Sequence, residues 1–353
     1  MSGGTGLAVI IVNYRTAHHS IQCVRALARE RQHLPDLEVV LVDNASGDGS
    51  PDIMAGALAD LIDTGFVRLL PLDLNGGFGW ANNQAMLALL ERADPPQFIM
   101  LLNPDCTIED GAVASLRDEL MAHDRCAVAG SQLLNPDGST SGSAFRFPTI
   151  GRELVRGSGI AAVGRVLGIA PTLISSDFAC EAEWVTGASC LFRTQALIEN
   201  GLFDDGFFLY FEEVELMFRL RQAGWTIRHV PASRVFHIGG ASTGVREGKS
   251  LSTPSVPLYW FQSRRRFLTL AYRPFGAWMA SIAWLVGVGL SRMAALFQRS
   301  RSSASSMADV RQMLDYGLYP DEADQVAAII WKDRPKGETP YWMRTHKQVK
   351  HAG

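Results

Sequence analysis

The sequence predicts an α/β protein with a mostly parallel sheet flanked by helices, followed by a helical carboxyl-terminal region. Three observations carry that prediction. Short apolar runs alternate with helix-period segments from residue 7 to residue 134, the pattern of strands joined by right-handed crossovers. Three of those runs end in polar residues, Asn13, Asp43 and Asp105. If the strands are parallel, those residues share the carboxyl edge of the sheet, where open α/β folds bind ligands. A third stretch, 275–291, has no charge, and the longer segment 256–301 has no acid at all.

The elements follow in order. Residues 7–12 form a first apolar strand, ahead of Asn13, Tyr14 and Arg15, and Ile21, Val24, Leu27 and Ala28 then recur at helical spacing. A strand at 37–42 runs into Asp43, Asn44, Ala45 and Ser46. A helix near 52–62, a strand near 66–70 and the glycine loop Asn75-Gly76-Gly77-Phe78-Gly79 come next, and the loop opens a helix starting near Trp80 that carries Asn82 and Asn83. That loop is not a dinucleotide fingerprint: Asn82 stands where the third glycine belongs, and the loop follows the third strand. The run Phe98 to Leu102 is continuously apolar, as a strand buried on both faces must be. Pro104 stops it, leaving Asp105 at the strand end.

Beyond Asp105, 109–123 reads as a helix and 126–134 as a strand. The second Asn-Pro-Asp, 135–137, is followed by Gly138 and reads only as a turn. Residues 139–178 are rich in Gly and Ser with weak periodicity, and read as a mobile loop or a surface that orders on substrate binding. The chain has 353 residues, 47% hydrophobic and 20% charged, which excludes a disordered protein. A net charge of −3 argues against a nucleic-acid binder. Five cysteines without CxxC spacing fit reduced, buried thiols in a cytosolic setting, and the first residues read as a strand rather than a signal peptide.

Aromatic residues feed directly into carboxylates in Phe207-Phe208-Leu209-Tyr210-Phe211-Glu212-Glu213-Val214-Glu215, which opens a helix to about Ala223. Carboxylates suit a helix N-terminus, and Glu215 is placed to pair with Arg219. Desolvation by aromatic neighbours also raises a carboxylate pKa, which suits a general base. His237, between apolar residues, reads as a satisfied buried histidine unless Asp105 lies beside it.

The ordered set VIIVNYR, VLVDNAS, NGGFGWANN, LLNPD, WVTGA, FLYFEEVE and FHIGGAS resembles the inverting glycosyltransferases of family 2, which have the GT-A fold, a Rossmann-like mixed sheet. The similarity is to bacterial rhamnosyltransferase-like members that build cell-surface polysaccharide on a lipid carrier. The resemblance implies that Asn13, Arg15, Asp43 and Asn44 hold the base and ribose, with Tyr14 near the base. Asn75, Gly77, Phe78 and Asn83 would line the nucleotide and sugar. Asp105, with Asn103, would stand for the metal-binding DxD motif, and His237 would complete a Mg²⁺ or Mn²⁺ site. Glu213 would be the catalytic base, with Trp184, Thr186, Gly187 and Glu212 on the acceptor side. Two departures stand out: Asn103 replaces the first aspartate of the stricter motif, and Glu213 stands where aspartate is common.

On this reading residues 1–245 are the catalytic domain, 246–301 a basic, apolar helical region and 302–353 a tail without assigned role. The expected donor is a nucleotide sugar, dTDP-L-rhamnose by resemblance, and the acceptor a polyprenyl-linked or polysaccharide hydroxyl. Segment 256–301 carries Arg264, Arg265, Arg266, Arg273, Arg292, Arg299 and Arg301, which suit anionic head groups or an acceptor pyrophosphate. The uncharged stretch reaches about 25 Å as a helix, short of the ~30 Å hydrocarbon core. Its readings are a buried or homodimer-forming helix, a membrane-surface helix, or a span with Arg292 snorkelling. The membrane reading places the protein on the inner face of the cell membrane. Two other functions compete. A sugar nucleotidyltransferase would want a glycine-rich phosphate loop after the first strand, which VNYRTAH lacks. A non-catalytic nucleotide-sugar-binding subunit is left room by Asn103.

Overall fold

The computed structural model describes residues 6–239, 256–298 and 305–345. Gly240, Ala241 and Ser242 of the last motif, and Arg299 and Arg301, lie outside the described residues. The strands are β1 (Leu7–Asn13), β2 (Leu37–Asp43), β3 (Val67–Pro71), β4 (Phe98–Leu102), β5 (Cys106–Ile108), β6 (Cys126–Leu134), β7 (Ala144–Phe145), β8 (Leu173–Ile174), β9 (Cys180–Ala182), β10 (Trp184–Val185), β11 (Ser189–Arg193) and β12 (Thr226–His237). The main sheet has the order β3-β2-β1-β4-β11-β6-β12-β5, with β9 also on β12. Strands β3, β2, β1 and β4 run parallel. The sheet turns mixed at β11, antiparallel to both β4 and β6. A small antiparallel sheet, β10-β7-β8, lies beside it.

Alternation along β1 divides the core. Val9 and Ile11 face one layer, with Val24 and Leu27 of the helix Ala17–Glu30. Ala8 and Ile10 face the other, with Ala81 and Ala85 of the helix Phe78–Leu90. Both faces are covered, which is why the central strands read as unbroken apolar runs.

Three expectations are corrected. The helix expected near 52–62 is two, Ser50–Ala57 and Ala59–Asp63, broken at Leu58. The stretch 139–178 is not simply a loop: it contains helices Ile150–Ser158 and Ala161–Val166. Its periodicity was hidden because the first helix turns a carboxylate inward. Glu153 is 3% exposed and accepts from Arg264 at 2.5 Å and Arg156 at 2.6 Å.

The third correction concerns the arginines. Arg264, Arg265 and Arg266 are buried and face protein carboxylates rather than lipid or pyrophosphate. Their partners are Glu153, Asp324 and Asp204 respectively. A buried guanidinium demands a paired acid, and the acids come from segments distant in sequence. The pairs with Glu153 and Asp204 bind the helix Leu258–Gln298 to the sheet-bearing part of the chain, and the pair with Asp324 binds it to the tail. That helix is broken at Arg273, with φ 63°, before Pro274. Its second half lays Gly287 against the Leu154 carbonyl and Trp284 against Gly157, so a Cβ at either glycine would collide with backbone. The stretch Leu258–Ala295 is long and apolar enough to cross a membrane by length and composition, and only 39% of its most apolar window is buried. Phe275, Val286 and Met293 are more than half exposed. They recur at spacings of eleven and seven residues, close to whole turns of a helix, and so share one side.

Candidate active site

The carboxyl ends of β1 and β2 are welded by Asn13. Its amide donates to Asp43 Oδ1 at 2.7 Å and Ser46 Oγ at 3.1 Å, and its carbonyl oxygen accepts from Thr16 N–H, Thr16 hydroxyl and Ser20 hydroxyl. Asn13 is fully buried and its bonding capacity is used. Its side chain is thus engaged in holding the strand ends together. Ser46 is the centre of this knot. Its hydroxyl donates to Asp43, and it accepts from Arg15 N–H at 2.9 Å. Arg15 and Ala45 have φ of 57° and 54°, strained turns of the kind found beside ligand sites. Arg15 is exposed and lies over the half-buried Tyr14 ring, 5.2 Å from its centroid.

Asn44 reaches across to the glycine loop, donating to Asn75 Oδ1 at 2.9 Å. Asn75 also accepts from Gly77 N–H. Gly77 has φ 93°, and a Cβ there would lie 2.0 Å from the Phe208 carbonyl oxygen. Only glycine permits that approach. Phe78 N–H donates to the same carbonyl at 3.1 Å. Asn83 lies elsewhere: fully buried, it donates to and accepts from the Phe203 backbone at 2.9 and 3.0 Å. Its side chain clamps the helix Phe78–Leu90 to the 203 segment.

Asp105 and His237 meet because β5 pairs with β12, with Cys106 opposite His237. His237 Nε2 lies 3.2 Å from Asp105 Oδ1, and Asn103 Nδ2 is 3.4 Å from the same nitrogen. Two ligands ~2.1 Å from an octahedral cation stand roughly 3 Å apart at adjacent positions, so the pair fits a divalent ion. The third group of the cluster, Cys106, directs its sulfur to the Ala188 carbonyl, and burial pushes its thiol well above its ordinary pKa. That leaves a carboxylate oxygen, a donor that suits Mg²⁺ or Mn²⁺, beside an imidazole nitrogen, which the harder Mg²⁺ takes less readily than a transition metal such as Mn²⁺.

The segment before β11 joins this site to the carboxylates. Asn103 N–H donates to the Ala188 carbonyl at 2.8 Å. The adjacent Gly187 faces Glu213 and Phe78, with a Cβ there 3.6 Å from each. Thr186 receives the Ala188 N–H. Trp184 stacks on Phe145 at 4.4 Å, on the flank of this segment. The helix Glu212–Gln222 follows two residues with left-handed backbone, Tyr210 at φ 68° and Phe211 at φ 69°. That double kink aims the first turn of the helix. Glu215 pairs with Arg219 at 2.8 Å, as expected. Glu212 is 3% exposed. Burial first, then the neighbouring Glu213 charge, raises its pKa well above the ordinary range. Glu213 is only half-buried. The two carboxyls thus differ in setting: burial favours the protonated form of Glu212, while the half-buried Glu213 lies beside Gly187.

A profile of the family described as Glycosyl transferase family 2 matches residues 8–160. The chain is 29% identical over 306 residues, 83% of this chain and 93% of the relative, to N-acetylglucosaminyl-diphospho-decaprenol L-rhamnosyltransferase of Mycobacterium tuberculosis. It is 26% identical over 174 residues to rhamnosyltransferase WbbL of Escherichia coli, covering 46% of this chain and 60% of that one. Two solved structures share the fold. Mannosyltransferase PcManGT from Pyrobaculum calidifontis, in complex with GDP-Man and Mn²⁺, has TM-score 0.52 at 16% identity, covering 89% of this chain and 81% of that one. TarS of S. aureus with UDP-GlcNAc has TM-score 0.51 at 15% identity, covering 88% and 79%. With this sheet order and these likenesses, the chain has the GT-A fold of a glycosyltransferase and is similar to family 2 over residues 8–160 and to rhamnosyltransferases over most of its length.

Proposed function

We propose that this enzyme transfers a hexose from a nucleotide sugar, dTDP-L-rhamnose by likeness to its relatives, to a hydroxyl of a polyprenyl-linked glycan. Transfer inverts the anomeric centre and occurs at the inner face of the cell membrane. The observation that carries the reading is the Gly187–Ala188 turn, which touches Asn103 of the cation-binding side and Glu213 of the carboxylate side. Donor phosphates and acceptor hydroxyl would therefore meet across one short segment.

Asp105 and His237 would hold Mg²⁺ or Mn²⁺, which when bound would neutralise charge developing on the departing diphosphate. Asp43, Arg15 and Tyr14 would receive the nucleoside at the edge knotted by Asn13 and Ser46. The loop 75–79 would place the sugar against Phe78. Glu213 would take the acceptor hydroxyl proton as its oxygen attacks the anomeric carbon. Glu212, buried behind it, would leave that role to its neighbour. Gly187 would keep the space between Glu213 and Phe78 open. The apolar side of the second helical half, with Phe275, Val286 and Met293, would rest on the membrane that carries the acceptor.

The test is nucleoside diphosphate release from a panel of nucleotide sugars, with and without a polyprenyl-diphosphate-linked acceptor. One donor should be turned over, faster with acceptor, and product NMR should show inversion. Release of pyrophosphate from a nucleoside triphosphate and sugar phosphate would instead identify a nucleotidyltransferase.

A further inference from the structure

The tail carries no motif, yet its described residues run back along the catalytic part to the glycine loop. Ile330 exchanges backbone bonds with the 202–203 segment: Leu202 N–H donates to its carbonyl at 2.7 Å, and its own N–H donates to Phe203. Asp205 N–H donates to the Ala328 carbonyl. The tail then crosses the helix Phe78–Leu90, where Gly337 N–H donates to Gln84 at 2.7 Å and Trp80 Nε1 donates to the Glu338 carbonyl at 2.8 Å. It reaches Trp342, whose indole N–H donates to the Gly76 carbonyl at 2.8 Å and whose ring packs on Phe208 at 4.8 Å.

Those two contacts fall on opposite partners of one junction. Gly77 and Phe78 are held against the Phe208 carbonyl, and Phe208 begins the aromatic run whose double backbone kink sets the direction of Glu212 and Glu213. The ring of Phe208 is also contacted edge-on by Tyr259, at 5.5 Å. We infer that Trp342 is a positioning residue for transfer: it locks the donor-side loop to the segment that aims the base. The inference rests on the proposed function for its kinetic part only. A single indole bridges both sides, so its loss leaves each free to move about the Gly77–Phe208 contact. Misplacement of reacting groups by about an ångström is enough to cost on the order of 10²-fold in rate.

The experiment compares full-length wild type with Trp342→Ala, Trp342→Phe and Lys336→Ala. Trp342→Phe keeps a ring for Phe208 and removes the N–H donor. Lys336→Ala removes an exposed ion pair with Glu91 on the same tail. Amide exchange of 76–79 by mass spectrometry is read beside kcat and donor KM per folded molecule. Trp342→Ala should speed exchange of the loop at least tenfold and lower kcat by about 10²-fold, with donor KM changing less. Trp342→Phe should fall between, and Lys336→Ala should match wild type. Loop exchange unchanged in both Trp342 variants would overturn the inference whatever the donor proves to be. So would kcat within twofold of wild type in Trp342→Ala. If exchange rises as expected but wild type turns over no nucleotide sugar, the positioning stands and the functional reading fails.

Discussion

His237 Nε2 lies 3.2 Å from Asp105 Oδ1, across the pairing of β5 with β12. Neither residue declares a metal site alone: one is a strand-end carboxylate, the other a histidine among apolar neighbours. Their approach makes a pair whose spacing fits a divalent ion, and Asn103 leans on the same imidazole.

That pair predicts cation dependence. Activity should disappear in excess EDTA and return with Mn²⁺ or Mg²⁺. Asp105→Ala should weaken nucleotide binding and rate together, and His237→Ala should raise the Mn²⁺ concentration needed for half activity. Asn103→Asp should remain active, because it adds a carboxylate to the same site. Full turnover in excess chelator would remove the cation from the mechanism.

The neighbouring carboxylates should separate by role. Glu213→Gln should lower kcat by roughly 10²–10⁴-fold with nucleotide affinity nearly unchanged, as read by calorimetry. Glu212→Gln should retain most activity, since Glu212 is buried and burial favours its neutral form. If Glu212→Gln is dead and Glu213→Gln active, the base is the adjacent residue.

Glu212 also predicts a pH effect on stability. Its folded pKa lies above the unfolded value, through burial and the Glu213 charge. The folded state therefore binds the proton more tightly than the unfolded state. The resulting stability is complete below the ordinary Glu range and is lost as pH rises toward the folded pKa. Thermal melts of wild type and Glu212→Gln should diverge with increasing pH above about 4.5, the glutamine variant gaining relative to wild type. Parallel melting curves across pH 4 to 8 would contradict the assignment.

The buried ion pair predicts a stability cost. Arg264 is fully buried against Glu153 at 2.5 Å. Glu153→Gln leaves a guanidinium inside without its main counter-charge, although Ser281 still accepts from it. Urea unfolding should show a loss of about 3 kcal/mol. A loss under 1 kcal/mol would mean that water or Ser281 suffices.

The exposed helical side predicts where lipid is met. Val286→Glu should reduce sedimentation with anionic vesicles several-fold while leaving the melting temperature near wild type, since the side chain is 51% exposed. Unchanged sedimentation, with a change in mass by light scattering, would assign this side to a second copy of the chain.

Much of the fold was legible in the sequence because it depends on local pattern. Strands buried on both faces must be continuous apolar runs, so β1, β2, β4 and β6 could be read directly. Pro104 and Gly224 mark ends by backbone geometry alone. The turn at 135–138 and the Glu215–Arg219 pair follow from neighbours in the chain.

What tertiary structure decided was pairing at long range. Asn13 looked like a ligand-binding residue by its strand-end position, but its partners Asp43 and Ser46 saturate it, and only folding brings all three together. Arg264 to Arg266 looked like a lipid-facing basic patch because no acid lies near them in sequence. Their acids arrive from the helix Ile150–Ser158, from Asp204 and from Asp324. Sequence states which charges a chain has and where it turns. Which charges can leave water depends on finding a partner, and that is settled only when distant segments pack.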